Sequence, residues 1–323
     1  MKRKVLLLSF LFVCVFSYGF HVGLVYAAYP DQKVRFIVGV DPGGLSDMTA
    51  RTLTRYANPY LGGHVYVENI PGAAGAIGYR TAAKTKPDGY TLMLISSGIL
   101  ITPHMTKDYP TLDLFDMICI VVQDPFVLTT KPDGRFKTAA DLISYAKAHP
   151  GEVTAGIAGG VGGVHHFTLA ALEDATGAKV SIVPYPGDTP TLIAAMGGHI
   201  DISVASCSAS RTLVEGKKLR PLVVSDSERS KLYPDVPTFK ELGYDVVNIV
   251  WMGVGIAKGT PKEVKDVLAG AFRKATEDEG YKKLMDQVGV KQIFLDSEEA
   301  GPWFKALDTR IRNLATRIGL KPE

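Results

Sequence analysis

Short apolar runs alternate with segments of helical period along most of the chain. The first run, residues 34–40, predicts a strand that ends in a turn over 41–44, and a helix follows from Ser46 to about Ala57. Clusters of β-branched residues predict further strands at 65–68, 90–95, 117–122, 126–130, 179–184, 200–205 and 222–224. Strands that alternate with helices predict an α/β protein with a largely parallel sheet.

The first 28 residues have the pattern of a secretory signal peptide. Three basic residues at positions 2–4 precede an apolar stretch over 5–16, and Ala27 lies at a plausible cleavage point. Weak apolar character continues to residue 25, so an uncleaved membrane anchor is the alternative. The pattern predicts export, and leaves open whether the segment is cleaved.

Composition narrows the class of protein. The 323 residues are 46% hydrophobic and 21% charged, as in an ordinary globular protein with length for about two domains. The formal net charge of +3 equals the charge of the basic residues at 2–4, so the rest of the chain has no basic field for nucleic acid. The spacing of Cys119 and Cys207 fits neither a zinc nor a redox motif, and we expect both to be buried small side chains.

The chain has no internal repeat and no Ser/Gly-rich linker, so two domains would be joined by ordinary strands. The candidate crossing strands are residues 118–124 and 219–225. Two such strands form a hinge, which suits a protein that closes on a ligand. We predict one domain from residues 29–123 plus 222–323 and a second from 124–221.

Three segments share a pattern in which a strand is followed by glycine or small polar residues and then by a helix start: 40–47, 156–166 and 185–191. Glycine lets the backbone approach a ligand, and a helix N-terminus offers unpaired N–H groups to an anion. Ser46 and Asp47 are candidate N-caps of the first helix. Each loop alone also fits an ordinary tight turn, but three of them favour an anion-binding cleft.

Motifs for catalysis and for nucleotide binding are missing. The sequence contains neither GxSxG nor HExxH, and its glycines do not form GxGxxG. His165 and His166 are adjacent on a predicted helix and point in different directions, which disfavours a shared metal ion. We therefore predict no catalytic residue, no metal and no cofactor. Arg211 is either a partner for a ligand carboxylate or a solvated residue at a helix start.

A series of short motifs between Tyr29 and Leu320 resembles the extracytoplasmic receptors of the tripartite tricarboxylate transporters, the Bug family. Their order and spacing are specific, although each motif alone is short. In chain order they are Tyr29-Pro30, Pro42-Gly43-Gly44, Glu68-Asn69-Ile70-Pro71-Gly72, Pro87-Asp88-Gly89-Tyr90, Val183-Pro184-Tyr185, Gly197-Gly198, Pro234-Asp235-Val236-Pro237, Trp251 with Gly253, and Gly259-Thr260-Pro261.

The resemblance implies a type II periplasmic-binding fold, in which two α/β domains joined by a two-strand hinge flank the ligand cleft. It implies that carboxylates are held by the loop after the first strand and by the loop that ends at the family's histidine, here His166. Together with the strand ends that we expect to line the cleft, the candidate ligand-binding residues are Gly43, Gly44, Ser46, Asp47, Ser96, Ser97, Gly162, Gly163, Val164, His165, Tyr185 and Asp188.

The function implied is that of a periplasmic receptor, not an enzyme, which binds a small organic carboxylate as a monomer and delivers it to membrane permease subunits. A ligand sensor for a membrane kinase and a periplasmic hydrolase on the same scaffold are the alternatives. The family's hydroxyl residues before His166 are replaced here by Gly163, Val164 and His165. We therefore expect a less polar distal pocket, for an aromatic or longer acid. The identity of the acid and the role of His165 are left open.

Overall fold

The computed structural model describes residues 29–160 and 162–320, so the predicted signal peptide lies outside the described residues. The strands of the described part are β1 (Val34–Val38), β2 (Val65–Asn69), β3 (Thr91–Ser96), β4 (Phe115–Thr130), β5 (Val153–Ala158), β6 (Val180–Tyr185), β7 (Ile202–Ser206), β8 (Arg220–Val224), β9 (Ile249–Ala257) and β10 (Lys291–Asp296). Its α-helices are α1 (Leu45–Ala57), α2 (Ala76–Ala83), α3 (Gly98–Ile101), α4 (Ala139–Ala148), α5 (Val164–Thr176), α6 (Asp188–Gly197), α7 (Cys207–Glu215), α8 (Lys262–Glu277), α9 (Glu279–Val288) and α10 (Ser297–Arg317).

The long strand β4 belongs to two sheets. Its first part, from Phe115 to Pro125, pairs with β9, and β10 lies on its other side. Its last part, from Phe126 to Thr130, pairs with β7 and β8. We call β1, β2, β3, β9, β10 and the helices packed on them the first lobe, and β5, β6, β7, β8 and their helices the second lobe. The α/β fold predicted from the sequence is confirmed.

Each lobe contains three neighbouring parallel strands. β1 pairs in parallel with β2 and β3, and β5 pairs in parallel with β6 and β7. The expectation of a largely parallel sheet is wrong at the centre, because β9 runs back along β4 and is antiparallel to both β3 and β4. In each lobe the carboxyl ends of the parallel strands lie at one edge, where ligands bind in open α/β sheets.

Each lobe has its own apolar core. In the first lobe, alternate residues of β1 face opposite sides: Phe36 packs towards α1, α8 and α9, and Ile37 packs towards α2, α3 and α10. In the second lobe, Phe126 and Leu128 of β4 pack with residues of α4 and α5. Cys119 and Cys207 are buried free thiols, as predicted.

The packing of residues 222–248 bears on the domain boundary. Among the named strands, β8 pairs with the second-lobe part of β4, and Phe239 and Val246 belong to the second-lobe core. The return begins at Ile249, which pairs with Pro125. The boundary at residue 222 stays a prediction, and this packing favours one near residue 248.

Two glycines provide a test of how tightly β9 is held. A Cβ on Gly253 would overlap the carbonyl oxygen of Cys119 on β4, whereas a Cβ on Gly270 in α8 would meet no described atom within 4 Å. We expect Gly253→Ala to cost about 1–3 kcal/mol of unfolding free energy, because a strand must shift. Gly270→Ala is the control and should gain about 0.5–1 kcal/mol, because alanine favours a helix. Urea unfolding measures both, and equal stability of the two variants would contradict this account of the β4–β9 contact.

Candidate functional site

Helix starts from both lobes follow the carboxyl ends of the parallel strands. α1 and α3 begin after β1 and β3 in the first lobe, and α5, α6 and α7 begin after β5, β6 and β7 in the second. The first N–H groups of a helix have no intrahelical partner and carry partial positive charge. Five such starts at the facing edges of two lobes form an environment suited to an anion.

The start of α1 lies at an exposed glycine pair. The helix begins at Leu45 with Gly44 as its N-cap, so the expectation that Ser46 or Asp47 is the cap is wrong. Both residues lie in the first turn, because the chain turns into the helix directly at the glycine pair. Gly43 has φ of +95°, which favours glycine, and a Cβ on Gly44 would meet no described atom within 4 Å. The main-chain N–H groups after Gly44 are therefore accessible.

Asp47 holds this loop in place. Its carboxylate accepts hydrogen bonds from Gly43 N (3.0 Å), Arg51 Nε (2.9 Å) and Asn69 Nδ2 (2.9 Å). Asn69 Nδ2 also donates to Val40 O. Burial acts to raise the pKa of Asp47, but these hydrogen bonds, first that of Arg51, outweigh it and hold the pKa below its usual value. The carboxylate is thus used by protein partners, which assigns it a positioning role.

Ser96 and Ser97 lie at the end of β3, as predicted. The phenol of Tyr79 on α2 bonds Ser96 Oγ and also accepts from Ser96 N, each at 3.3 Å. Ser97 N donates to Trp251 O on β9 at 3.1 Å, and Ser97 is the N-cap of α3. These contacts fix the strand end beside the start of α1.

The start of α5 is the second-lobe counterpart of the start of α1. Gly163 is its N-cap, and Gly163 N donates to Gly160 O at 3.1 Å. Gly162 has φ of +107°, and its N–H donates to Nδ1 of His166 at 2.9 Å. Burial lowers the pKa of His166, which keeps the ring neutral and able to accept this bond. His166 therefore orders the loop from within, while the N–H groups of Val164 and His165 lie at the open helix start.

His165 is held by the half-buried carboxylate of Asp188. Its Nε2 lies 2.8 Å from Asp188 Oδ1, and its ring packs edge-on against Phe126. The other oxygen of Asp188 accepts from the N–H of Ser206 (3.2 Å) and from its Oγ (2.9 Å). Burial acts to raise the pKa of Asp188, but the hydrogen bonds from His165 and Ser206 outweigh it and lower the pKa. The array joins the starts of α5, α6 and α7.

Comparison with known proteins identifies the family of this chain. The sequence model described as "Tripartite tricarboxylate transporter family receptor" matches residues 49–320. The UPF0065 protein in the gbd 5′ region of Cupriavidus necator is 32% identical over 294 residues, which is 90% of this chain and 89% of that protein. Protein BugT of Bordetella pertussis is 32% identical over 278 residues, 84% of each chain. The chain belongs to this receptor family.

Solved structures agree with the family receptors in fold. A TctC solute-binding protein from Polaromonas, solved without ligand, has a TM-score of 0.80 at 28% identity and covers 90% of this receptor and 99% of its own chain. A protein of R. palustris solved with adipate has a TM-score of 0.78 at 25% identity and covers 91% and 100%. The family and the periplasmic-binding fold predicted from the sequence are confirmed.

A further carboxylate, Asp124, lies on β4 just before the strand passes into the second lobe, where it pairs with Val250 of β9, and it was not predicted as a site residue. It is fully buried on β4, and it accepts from both the N–H and the hydroxyl of Ser208 in the first turn of α7. Burial raises its pKa from 3.8 to about 7, against the hydrogen bonds from Ser208. An ionisable residue inside the apolar run of β4 was the signal in the sequence.

Polar groups lie together on the second-lobe side of the candidate site. His165 brings Asp188 and the hydroxyl of Ser206 into the same array. The less polar distal pocket, expected because hydroxyl residues are missing before His166, stays a prediction. The start of α7 is satisfied by two carboxylates, Asp188 and Asp124.

The remaining predicted residues lie at the edge of the site. Tyr185 ends β6, and its carbonyl accepts from Gly159 N at 2.8 Å. Arg211 is directed away from it: Nε donates to Glu215 (2.8 Å) and a terminal nitrogen donates to Asp286 O (3.0 Å). Met105 of the first lobe, which sequence reasoning missed, reaches Gly162 of the second, and a Cβ on Gly162 would overlap its thioether. The two lobes therefore touch at the start of α5.

Asp124 makes receptor stability depend on pH. Its folded pKa of about 7 lies above 3.8, so between these values the folded state binds more protons than the unfolded state, and stability falls as pH rises. Asp124→Asn has no carboxyl group at this position and so lacks this fall in stability. Its unfolding free energy relative to that of the wild type should therefore increase from pH 4 to pH 7, by at most about 1.4 kcal/mol per pH unit. Denaturant unfolding across this range measures the difference. Asp133→Asn, at an exposed carboxylate, is the control, and a parallel pH profile for all three proteins would contradict the prediction.

Proposed function

We propose that this receptor is a periplasmic protein that binds a small organic carboxylate between its lobes and delivers it to a tripartite tricarboxylate permease. The observation that carries the proposal is the pair of glycine-capped helix starts, α1 at Gly44 and α5 at Gly163, one in each lobe. Each presents main-chain N–H groups whose partial positive charge favours an anion. A solute that contacts both starts favours the closed arrangement of the lobes by its differential contacts.

The residues divide into two roles. We assign contact with the solute to Gly44, Ser46, Gly163, Val164 and His165, because they form the two open helix starts. Asp47, Ser96, Ser97, Gly162, Tyr185 and Asp188 hold these starts in place through the hydrogen bonds and backbone conformations described above. The adipate in the R. palustris relative supports a carboxylate as the solute class.

The arrangement of Ser206 and His165 favours a receptor over a hydrolase. A nucleophilic serine needs an imidazole beside its hydroxyl to take the proton. Here the hydroxyl of Ser206 and the imidazole of His165 bind different oxygens of Asp188, so the carboxylate lies between them. Ser206 is also the N-cap of α7, and its Oγ accepts from Ala209 N. We therefore propose that the protein is not an enzyme.

The proposal also covers the cellular location and the oligomeric state of the receptor. In the described part of the chain, no helix is long and apolar enough to cross a membrane. We propose that residues 1–28 direct export to the periplasm and are cleaved, and that the mature receptor is a monomer. Native mass spectrometry of protein purified from the periplasm without refolding tests this, because it gives the mass of the mature chain, its oligomeric state and any retained solute. A mass that includes residues 1–28 would contradict cleavage.

Gly44→Val tests the solute site directly. The backbone at Gly44 is extended and a Cβ there is unobstructed, so we expect the fold to persist with about 1 kcal/mol lost at the N-cap. The branched side chain covers the N–H groups that follow it. Each hydrogen bond to a charged group is worth about 1.5–3 kcal/mol, so affinity for the solute should fall at least about tenfold.

The matched control is Thr138→Val, which also places valine at a helix N-cap, on α4. It loses the hydrogen bond from Asp141 N and should cost a similar amount of stability without affecting binding. Isothermal calorimetry with the solute identified by mass spectrometry, or with adipate, compares the variants. Wild-type affinity in Gly44→Val would remove the start of α1 from the site.

A further inference from the structure

Asn248 lies where the chain returns from the second lobe to the first, directly before β9. Its backbone is bound to Ser225: Asn248 N donates to Ser225 O at 2.9 Å, and Ser225 Oγ donates to Asn248 O. Ser225 Oγ in turn accepts from Phe126 N of β4 at 3.0 Å. The backbone of Asn248 is thus fixed to both connections between the lobes.

The side chain of Asn248 reaches the start of α5. Its Nδ2 donates to Val164 O and to Thr168 Oγ1, each at 2.8 Å, and Thr168 is fully buried. Val164 is the first residue of α5, and Thr168 lies one turn later on the same face. Both donor positions of the amide are therefore used on one helical turn, which is the turn that presents the open N–H groups.

Other contacts of α5 lie on the first lobe. Phe167 is buried in the first-lobe core cluster that contains Trp251 and Phe304. At the far end of the helix, Asp174 pairs with Arg317 of α10 at 2.8 Å. The helix is thus placed by the crossing and by the first lobe as well as by its own sheet, and Asn248 forms the hydrogen bonds that tie its first turn to the crossing.

We propose that Asn248 is a positioning residue for solute binding, which couples the crossing between the lobes to the N–H groups at the start of α5. The inference rests on the proposed function. When the lobes rotate about the crossing, the amide carries the first turn of α5 with it, so the N–H groups meet the solute in the closed arrangement. Loss of the amide leaves the helix intact but removes the tie between its first turn and the crossing.

Asn248→Ala removes the side-chain amide and leaves the backbone bonds to Ser225. We expect faster hydrogen exchange at the amides of Phe167 and Thr168 in the solute-free protein, with α6 unchanged. Affinity for the tightest binder among straight-chain dicarboxylates of four to eight carbons should fall by about tenfold. Thr168→Val removes one acceptor of the same amide. It should also speed hydrogen exchange at the start of α5 and lower affinity for the dicarboxylate, and it provides the test if Asn248→Ala does not fold.

The control is Thr129→Val, which breaks a buried hydrogen bond of 2.6 Å between Thr129 and Ser203 in the same lobe. It should lower the melting temperature by a similar amount, with affinity within about twofold of wild type. If Asn248→Ala and Thr129→Val lose affinity equally, or if exchange in α5 rises only in proportion to global stability, Asn248 is a structural residue and the inference is wrong.

The two proposals fail in different ways. Hydrogen exchange is measured in the solute-free protein and needs no ligand. If Asn248→Ala leaves the exchange rates at the start of α5 unchanged, the positioning role is wrong, whichever solute the wild type binds. If wild-type protein binds none of the dicarboxylates and retains no carboxylate on purification, the proposed function is contradicted, and the exchange comparison still decides whether Asn248 holds the helix.

Discussion

Continuity of one strand is the constraint on which the rest of the structure depends. β4 has 16 residues and exchanges its main-chain partners part-way, from β9 and β10 to β7 and β8. A ladder of hydrogen bonds fixes direction and register, so both lobes inherit their orientation from the same backbone. Helix starts on separate sheets can serve one solute because this strand sets where the two sheets end.

Buried polar side chains lie where β4 changes its strand partners. Where a strand leaves one sheet and enters another, main-chain groups lose regular partners, and buried groups of this kind must be satisfied in some other way. Ser225 accepts from Phe126 N, and Asn248 closes the same cluster from the returning chain. Asp124 lies two residues before Phe126 and reaches α7. The polar residues of the crossing are thus required by the architecture and lie against the helices that form the site.

Local patterns account for most of what the sequence predicted correctly. β1, β2 and β3 lie close to their predicted bounds, because each is a short apolar or β-branched run with a turn after it. Predictions failed where the deciding contact is distant. The runs 117–122 and 126–130 looked separate because Gln123, Asp124 and Pro125 interrupt the apolar pattern, yet they form one strand, since Asp124 finds its partner at Ser208. β9 was missed because Gly253 and Gly255 weaken its strand signal, and their purpose is close contact with β4 and β3.

In the candidate site, too, local features were predicted and features that depend on distant contacts were not. The glycine loops were visible in the sequence, because the same order of strand, glycine and helix start recurs three times. The pairing of His165 with Asp188, 23 residues away, and the link from Asn248 to Val164, 84 residues away, depend on tertiary packing. The N-cap of α1 is Gly44 and not the expected Ser46 or Asp47; the carboxylate of Asp47 instead binds Arg51 one turn later on the same helix and Asn69 of β2.

Glycine caps at the two open helix starts bear on how receptors of this kind diverge. The donors there belong to the main chain, which every residue except proline supplies, so substitutions at neighbouring side chains leave the donors in place. In the proposed function, affinity for the acidic group rests on the main chain, and selectivity for the rest of the solute rests on the side chains around it. Substitution of those side chains would then change the preferred acid while the main-chain donors stay in place.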